Sequence, residues 1–236
     1  MSEQVSQNSE AEFDQFADRY DEAINEGLSA SGEKKEYFAQ GRINLVKKRL
    51  AELGFTAESI LDFGCGTGAA TPFLRELPGV KAIYGVDVSA RSIEVAARMN
   101  RCPEARFLLM KDFPPDLQVD VAYCNGVFHH IQPGQRRGAV QMVHKSLRAG
   151  GLFFLWENNP WNPGTRYVMR KIPFDRAAIP LSPREGKRLL AENGFEIVAR
   201  DFAFYFPASL KFARGLEPLL IKAPLGAQYC VLGRKV

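Results

Sequence analysis

Residues 60–68 read Ile60-Leu61-Asp62-Phe63-Gly64-Cys65-Gly66-Thr67-Gly68, and their reading decides the fold. An apolar run delivers an acidic residue into a glycine-rich turn that opens a helix. Glycines at 64, 66 and 68 let the backbone turn sharply and approach a ligand more closely than any Cβ would permit. A second apolar run, Ala82-Ile83-Tyr84-Gly85-Val86, ends at Asp87. A carboxylate closing the second strand of a βαβ unit is placed to accept hydrogen bonds from both hydroxyls of a ribose. The ligand implied is a nucleoside.

Outward from this loop the pattern alternates. Strands are expected at 58–63, 81–86, 105–110, 119–124 and 151–157, with helices from about 69, at 90–99 and at 135–148. Strands separated by helices imply right-handed crossovers and a parallel sheet covered on both faces. Residues 158–183 break the rhythm. They hold five of the fourteen prolines, with Trp161, Tyr167 and Phe174, and read as an ordered irregular insertion. A helix at 184–193 follows, with Ser182 as N-cap and Pro183 at N1. Then come Phe195–Phe206, a helical piece near 208–221, and Ala227–Lys235. Ahead of the core, residues 1–10 are polar and read as disordered. Phe13, Phe16, Ala17, Tyr20 and Ile24 recur at helical spacing, and a second amphipathic stretch runs from about Glu33 to Leu53. The expected division is therefore an extension at 1–54 and a main domain at 55–236, carrying the insertion at 158–183.

On these residues the chain resembles the class I S-adenosylmethionine-dependent methyltransferases of the small-molecule type, whose loop reads Asp/Glu-x-Gly-x-Gly-x-Gly. The likeness continues through Tyr84-Gly85-Val86-Asp87-Val88-Ser89, Lys111-Asp112-Phe113, Val119–Asn125, Val127-Phe128-His129-His130-Ile131 and Leu147-Arg148-Ala149-Gly150-Gly151-Leu152, covering roughly 55–158. A dinucleotide reading also fits Gly64-x-Gly66-x-x-Ala69, but leaves Asp62 and the later matches unaccounted for. The resemblance implies a doubly wound seven-stranded sheet, mostly parallel with the last strand antiparallel, and S-adenosyl-L-methionine as cofactor. It assigns Asp62 and the loop residues Gly64, Cys65, Gly66 and Gly68 to the methionyl half, and counts Asn125 among the cofactor-binding residues. Asp87 goes to the ribose, and Val88, Asp112 and Phe113 to the adenine.

Methyl transfer from a sulfonium is an in-line displacement, so much of the task is holding the acceptor at near-attack distance. A general base matters when the acceptor must lose a proton. His130, in the turn after the fourth strand, is the candidate, and adjacent His129 is read as structural. Glu157 is read as a base or acceptor-orienting group. Tyr20, His130, Trp161, Tyr167 and Arg170 are candidates for contact with the acceptor, with Arg166 or Arg170 able to pair with an anionic group. Catechol-type O-methyltransferases carry an Asp-Asn pair where this chain has Glu157-Asn158. One carboxylate plus amides is a poor cage for a hard cation, so no metal is expected. Asn125-Gly126-Val127-Phe128 departs from the Asp/Asn-Pro-Pro-Tyr/Phe of nucleic-acid amino methyltransferases. The expected function is methyl transfer to a small-molecule acceptor, at oxygen or carbon. The alternatives are an RNA methyltransferase and a non-catalytic cofactor-binding subunit.

Composition sets wider limits. The formal charge is only +4, although Lys and Arg outnumber Asp and Glu about two to one after Asn159. Dispersed charges of this kind read as solvated surface and disfavour a nucleic-acid partner. Cys65, Cys102, Cys124 and Cys230 show no paired spacing and read as reduced core residues. A nucleophilic role for Cys124 is disfavoured for a buried strand-end thiol. No apolar run approaches the ~20 residues that span a bilayer, and the N-terminus lacks an export pattern. A cytoplasmic location is expected, and the sequence leaves the oligomeric state open.

Overall fold

The computed structural model describes residues 20–236. The helical reading of Phe13 and Phe16 and the disorder expected for residues 1–10 lie outside the described residues. Helix α1 (Tyr20–Leu28) and helix α2 (Lys35–Glu52) precede the sheet. Then come β1 (Ser59–Phe63), α3 (Thr71–Leu74), β2 (Ala82–Asp87), α4 (Ala90–Met99), β3 (Ala105–Leu109) and β4 (Val119–Asn125). The chain continues through α5 (Arg136–Ser146), β5 (Leu147–Asn158), α6 (Pro163–Lys171), α7 (Pro183–Ala191), β6 (Phe195–Ala203), α8 (Glu217–Leu220) and β7 (Gln228–Lys235).

The strand order is β3-β2-β1-β4-β5-β7-β6. Strands β1 to β5 pair in parallel, while β7 runs antiparallel to both β5 and β6. This is the doubly wound, seven-stranded α/β sheet expected from the sequence. The order reverses at β1, so the crevice for a ligand opens beyond the carboxyl ends of β1 and β4.

Two buried cores cover the two faces. Leu61, Ala122, Cys124, Phe153 and Leu155 point to one face and pack with Val140 and Val143 of α5 and Leu190 of α7. Ile60, Val121, Tyr123, Phe154 and Trp156 point to the other, against Phe38, Ile43, Val46 and Leu50 of α2. Helix α2 is therefore part of the main core. Its Arg49 clamps the buried Asp201 of β6 through two bonds of 2.7 and 2.6 Å, and Lys222 adds a third at 2.6 Å.

The expected elements differ from the observed ones mainly in the insertion. It contains helix α6, opened by Asn162, whose side chain accepts from the Thr165 N–H, with Pro163 in the first turn. Proline is tolerated there because its missing N–H has no intrahelical partner. Strand β5 begins at Leu147 rather than 151, because Leu147 pairs with Val119 across a register shift. Helix α7 carries a full capping box between Ser182 and Glu185.

Candidate active site

A cavity of about 980 Å³ opens at the carboxyl ends of the parallel strands. Strand parity decides which side chains reach it. Successive residues alternate between faces, and Asp62, Tyr123, Asn125, Asn158 and Gln228 stand on the α2 side, where all five line the cavity. The loop from Gly64 to Gly68 forms another wall. Gly64 has φ of +72°, and a Cβ there would come within 2.3 Å of Val127 Cγ2. Glycine is thus required on both conformational and steric grounds. The loop is pinned by Gly64 N–H and Cys65 N–H, both donating to the Val86 carbonyl, at 2.8 and 3.0 Å.

Asp62 is buried, and its Oδ2 has no hydrogen-bond partner among the described residues. Burial, together with Asp87, pushes its carboxyl up to about 7 against the pull of Arg42. Asn125 Oδ1 is likewise buried without a partner among the described residues. Arg42 is buried at the cavity wall with neutral acceptors, Tyr123 Oη at 3.0 Å and Gln228 Oε1 at 2.9 Å. Gln228 Nε2 continues to Asn158 Oδ1 at 3.2 Å. An unsatisfied buried acceptor costs about 1–3 kcal/mol, so this end of the cavity is built for a polar ligand with donor groups. An ammonium for Asp62 and a carboxylate for Arg42 suit an amino-acid moiety. The arrangement fits the methionyl half of S-adenosylmethionine.

The other end of the cavity is apolar. Tyr37 and Phe38 of α2, Tyr167, Met169, Ile172 and Phe174 of the insertion, and Phe204 to Pro207 wall it. Phe204 takes a left-handed φ of 63°, which turns the chain out of β6 and seats its ring against Phe38 at 5.0 Å between centroids.

Between the two ends stand His129 and His130. His129 Nδ1 lies 2.7 Å from Glu157 Oε2, and the other oxygen, Oε1, accepts from Phe128 N–H at 2.7 Å. Asp175 Oδ1 lies 3.4 Å from His129 Nε2 and 3.3 Å from His130 Nε2. Burial works against charge on His129, yet Glu157 and Asp175 hold its pKa up at about 10. For Asp175, burial is outweighed by bonds with both histidines, which hold it down at about 2. Burial and neighbouring His129 push His130 down. The insertion is fastened here by Ile179 N–H donating to the His129 carbonyl at 2.9 Å and by Arg136, which donates to the carbonyls of Phe128, Ile131 and Ile179.

The expected site residues divide into groups. Asp62, Gly64, Cys65, Gly66, Gly68, Asn125, His130 and Tyr167 line the cavity. Asp87, Val88, Asp112 and Phe113 stand outside that lining, at the ends of β2 and β3. Asp87 Oδ2 accepts from Gly66 N–H and Oδ1 from Ser89 N–H, both at 2.9 Å, and Phe113 N–H donates to the Met110 carbonyl. Glu157, read as a base or orienting group, is corrected: parity turns it from the cavity into the opposite core, where it supports His129. Trp161 and Arg170 are exposed and do not reach the cavity. Trp161 lies against Arg184, and Arg176 Nε donates to the Arg170 carbonyl. Tyr20 opens α1, and its side chain lies outside the described ones. Cys124 faces the α5 core, where burial pushes its thiol well up. Arg42, Tyr123, His129, Asn158, Asp175 and Gln228 join the site without having been expected in it. No helix among the described residues is long and apolar enough to cross a membrane.

Residues 61–153 match the family model described as a methyltransferase domain. A ribosomal protein L11 methyltransferase from Shewanella sp. (strain W3-18-1) is 29% identical over 106 residues, covering 43% of this chain and 34% of the relative. The chain thus spans about a third of the length of that relative. Among solved structures, a chain of the complex between the Haloferax volcanii Trm112 methyltransferase activator and a methyltransferase superposes with a TM-score of 0.66 at 19% identity, covering 95% and 97% of the two chains. A Thermotoga maritima S-adenosylmethionine-dependent methyltransferase, with histamine as its suggested acceptor, also gives a TM-score of 0.66 at 19% identity, covering 95% and 98%. Residues 61–153 thus carry a methyltransferase domain, and the chain has the fold of the class I S-adenosylmethionine-dependent methyltransferases, which implies S-adenosylmethionine as the cofactor.

Proposed function

We propose that the protein transfers a methyl group from S-adenosylmethionine to a small apolar or aromatic acceptor bearing a hydroxyl or an acidic carbon. The observation that carries this reading is the continuity of one cavity from the glycine loop and Asp62 to the aromatic walls of α2, the insertion and Phe204 to Pro207. Enclosed, mostly apolar pockets with a few convergent polar groups are the usual form of small-molecule sites. The relatives act on acceptors as different as a ribosomal protein and, by suggestion, histamine. The acceptor is therefore argued from the cavity alone.

In this reading Asp62, Asn125 and Arg42 would hold the methionyl end of the cofactor, which would supply an electrophilic methyl group. The aromatic walls hold the acceptor in line and exclude water. The cluster of His129, His130 and Asp175 meets the acceptor's nucleophilic atom and handles its proton. Incubating the protein with S-adenosylmethionine labelled in the methyl group and with fractionated small-molecule extracts tests this. Label entering a low-mass product, and absent from protein and RNA fractions, supports the reading. Label entering only macromolecules overturns it.

A further inference from the structure

His129, His130 and Asp175 each offer a ligand atom, and these atoms lie within 4.8 Å of one another. Their spacing carries information. His129 Nδ1 meets Glu157 at 2.7 Å, a true hydrogen bond, whereas the contacts of Asp175 Oδ1 with His129 Nε2 and His130 Nε2 are 3.4 and 3.3 Å. An N–H···O bond usually closes to ~2.9 Å. Donors arranged tetrahedrally ~2.1 Å from a Zn²⁺ ion stand ~3.4 Å apart.

The charge points the same way. Glu157 and Asp175 are both buried and face opposite ring nitrogens of His129. Arg136 beside them donates to three main-chain carbonyls. Ligation needs both imidazoles neutral, and the two carboxylates then carry a charge that a divalent cation offsets in place of the proton on His129. Glu157 also occupies the place of the outer carboxylate that fixes a metal-binding histidine through its second nitrogen. This donor set differs from the Glu157-Asn158 pair considered from sequence, because the insertion brings Asp175 to the histidines and parity removes Glu157 from the cavity.

We propose that His129 Nε2, His130 Nε2 and Asp175 Oδ1 form a binding site for a Zn²⁺-type divalent cation, with its fourth position open to the cavity. Two imidazoles, one carboxylate and an open position are a ligand set of catalytic rather than structural sites. Ligation displaces any proton held between His129 Nε2 and Asp175. The cation's use rests on the methyl-transfer reading: it would bind an acceptor hydroxyl oxygen and lower its pKa, the O–H proton passing to water.

The test does not depend on turnover. The full chain is stripped with chelator, incubated with Co²⁺ or Zn²⁺, desalted and assayed for bound metal and, with Co²⁺, for visible absorption. S-adenosylhomocysteine binding is measured by thermal shift on the same samples. One ion per chain is expected, lost in Asp175→Asn and in His130→Gln, with affinity weakened ~10-fold or more in Glu157→Gln. If Asp175→Asn does not fold, His130→Gln at the half-buried position decides. A wild-type protein that takes up no cation overturns the proposal, as do variants that bind it as well as wild type. Intact S-adenosylhomocysteine binding in a protein that takes up no metal sinks the metal site alone, while loss of both sinks the methyl-transfer reading as well.

Discussion

Asp62 makes cofactor affinity depend on pH in a way that can be worked from the structure. Its carboxyl is fully buried and pushed from 3.8 up to about 7, first by desolvation and then by Asp87. That difference corresponds to on the order of 4 kcal/mol by which the folded, ligand-free protein disfavours the carboxylate. In the proposed site, Asp62 must be ionised to meet the ammonium of the methionyl group. Affinity is then full above about 7 and falls as pH drops below it. At pH 6 about ten protein molecules carry protonated Asp62 for each that is ionised, so binding weakens about 10-fold relative to pH 8, or ~1.4 kcal/mol. Stability of the free protein runs the other way. A raised carboxyl contributes stability that is complete below 3.8 and is lost as pH rises towards about 7. Calorimetric titration with S-adenosylhomocysteine between pH 6 and 8, in buffers of different ionisation enthalpy, measures both the affinity and the proton released on binding. Asp62→Asn keeps the shape and removes the titration. It should bind ~10-fold or more weakly at pH 8 and with little slope. Wild-type affinity constant to within about twofold over this range, or a slope that survives in Asp62→Asn, refutes the assignment.

Gly41→Ala on α2 sets helix propensity, a gain of ~1 kcal/mol, against a Cβ placed 2.5 Å from the Phe204 ring; overpacking of ~1–3 kcal/mol should win, lowering Tm, and a raised Tm would show that Phe204 moves freely. Asp120 accepts from the Glu58 and Ser59 N–H groups at 2.8 Å each. Desolvation opposes its ionisation but these bonds, the Ser59 hydroxyl and Arg148 outweigh it and hold the pKa below 3.8; its stabilisation is present above 3.8 and lost as pH falls through the lowered value, so Asp120→Asn should cost ~1–3 kcal/mol at pH 7 and much less near pH 2, as read by urea melts. Tyr167→Ala, at the cavity rim, should raise KM for the acceptor several-fold and leave S-adenosylhomocysteine binding unchanged, whereas Arg170→Ala should change neither; equal effects of the two would return Arg170 to the acceptor site.

The sequence makes legible what is encoded locally. Strands β1 to β5, the glycine loop and the capping of α7 each come from a run of a few residues, and the fold preserves them. Helix α6 escapes because its start, Asn162-Pro163-Gly164, lies among prolines that read as irregular, although the same Pro-at-N1 logic identifies Ser182-Pro183. Glu157 is misplaced for want of a parity count: Trp156 belongs to the α2 core and Leu155 to the α5 core, so Glu157 must face away from Asn158.

Asp175 and Arg42 are of another kind. Asp175 reaches His130 only because Arg136 and Ile179 fasten the insertion to the turn after β4, a contact with no local pattern. Arg42 is one cation among many on a helix of mixed charge, and only packing against Tyr123 and Gln228 makes it a buried one. Both lie where segments outside the matched 61–153 domain meet it. The glycine-loop end of the cavity is thus written largely in contiguous motifs, to which packing adds Arg42, whereas the apolar end is assembled from α2, the insertion and the β6–β7 connection, so that in the proposed reading acceptor chemistry follows from Asp175, Tyr167 and Phe204 together and from none of them alone.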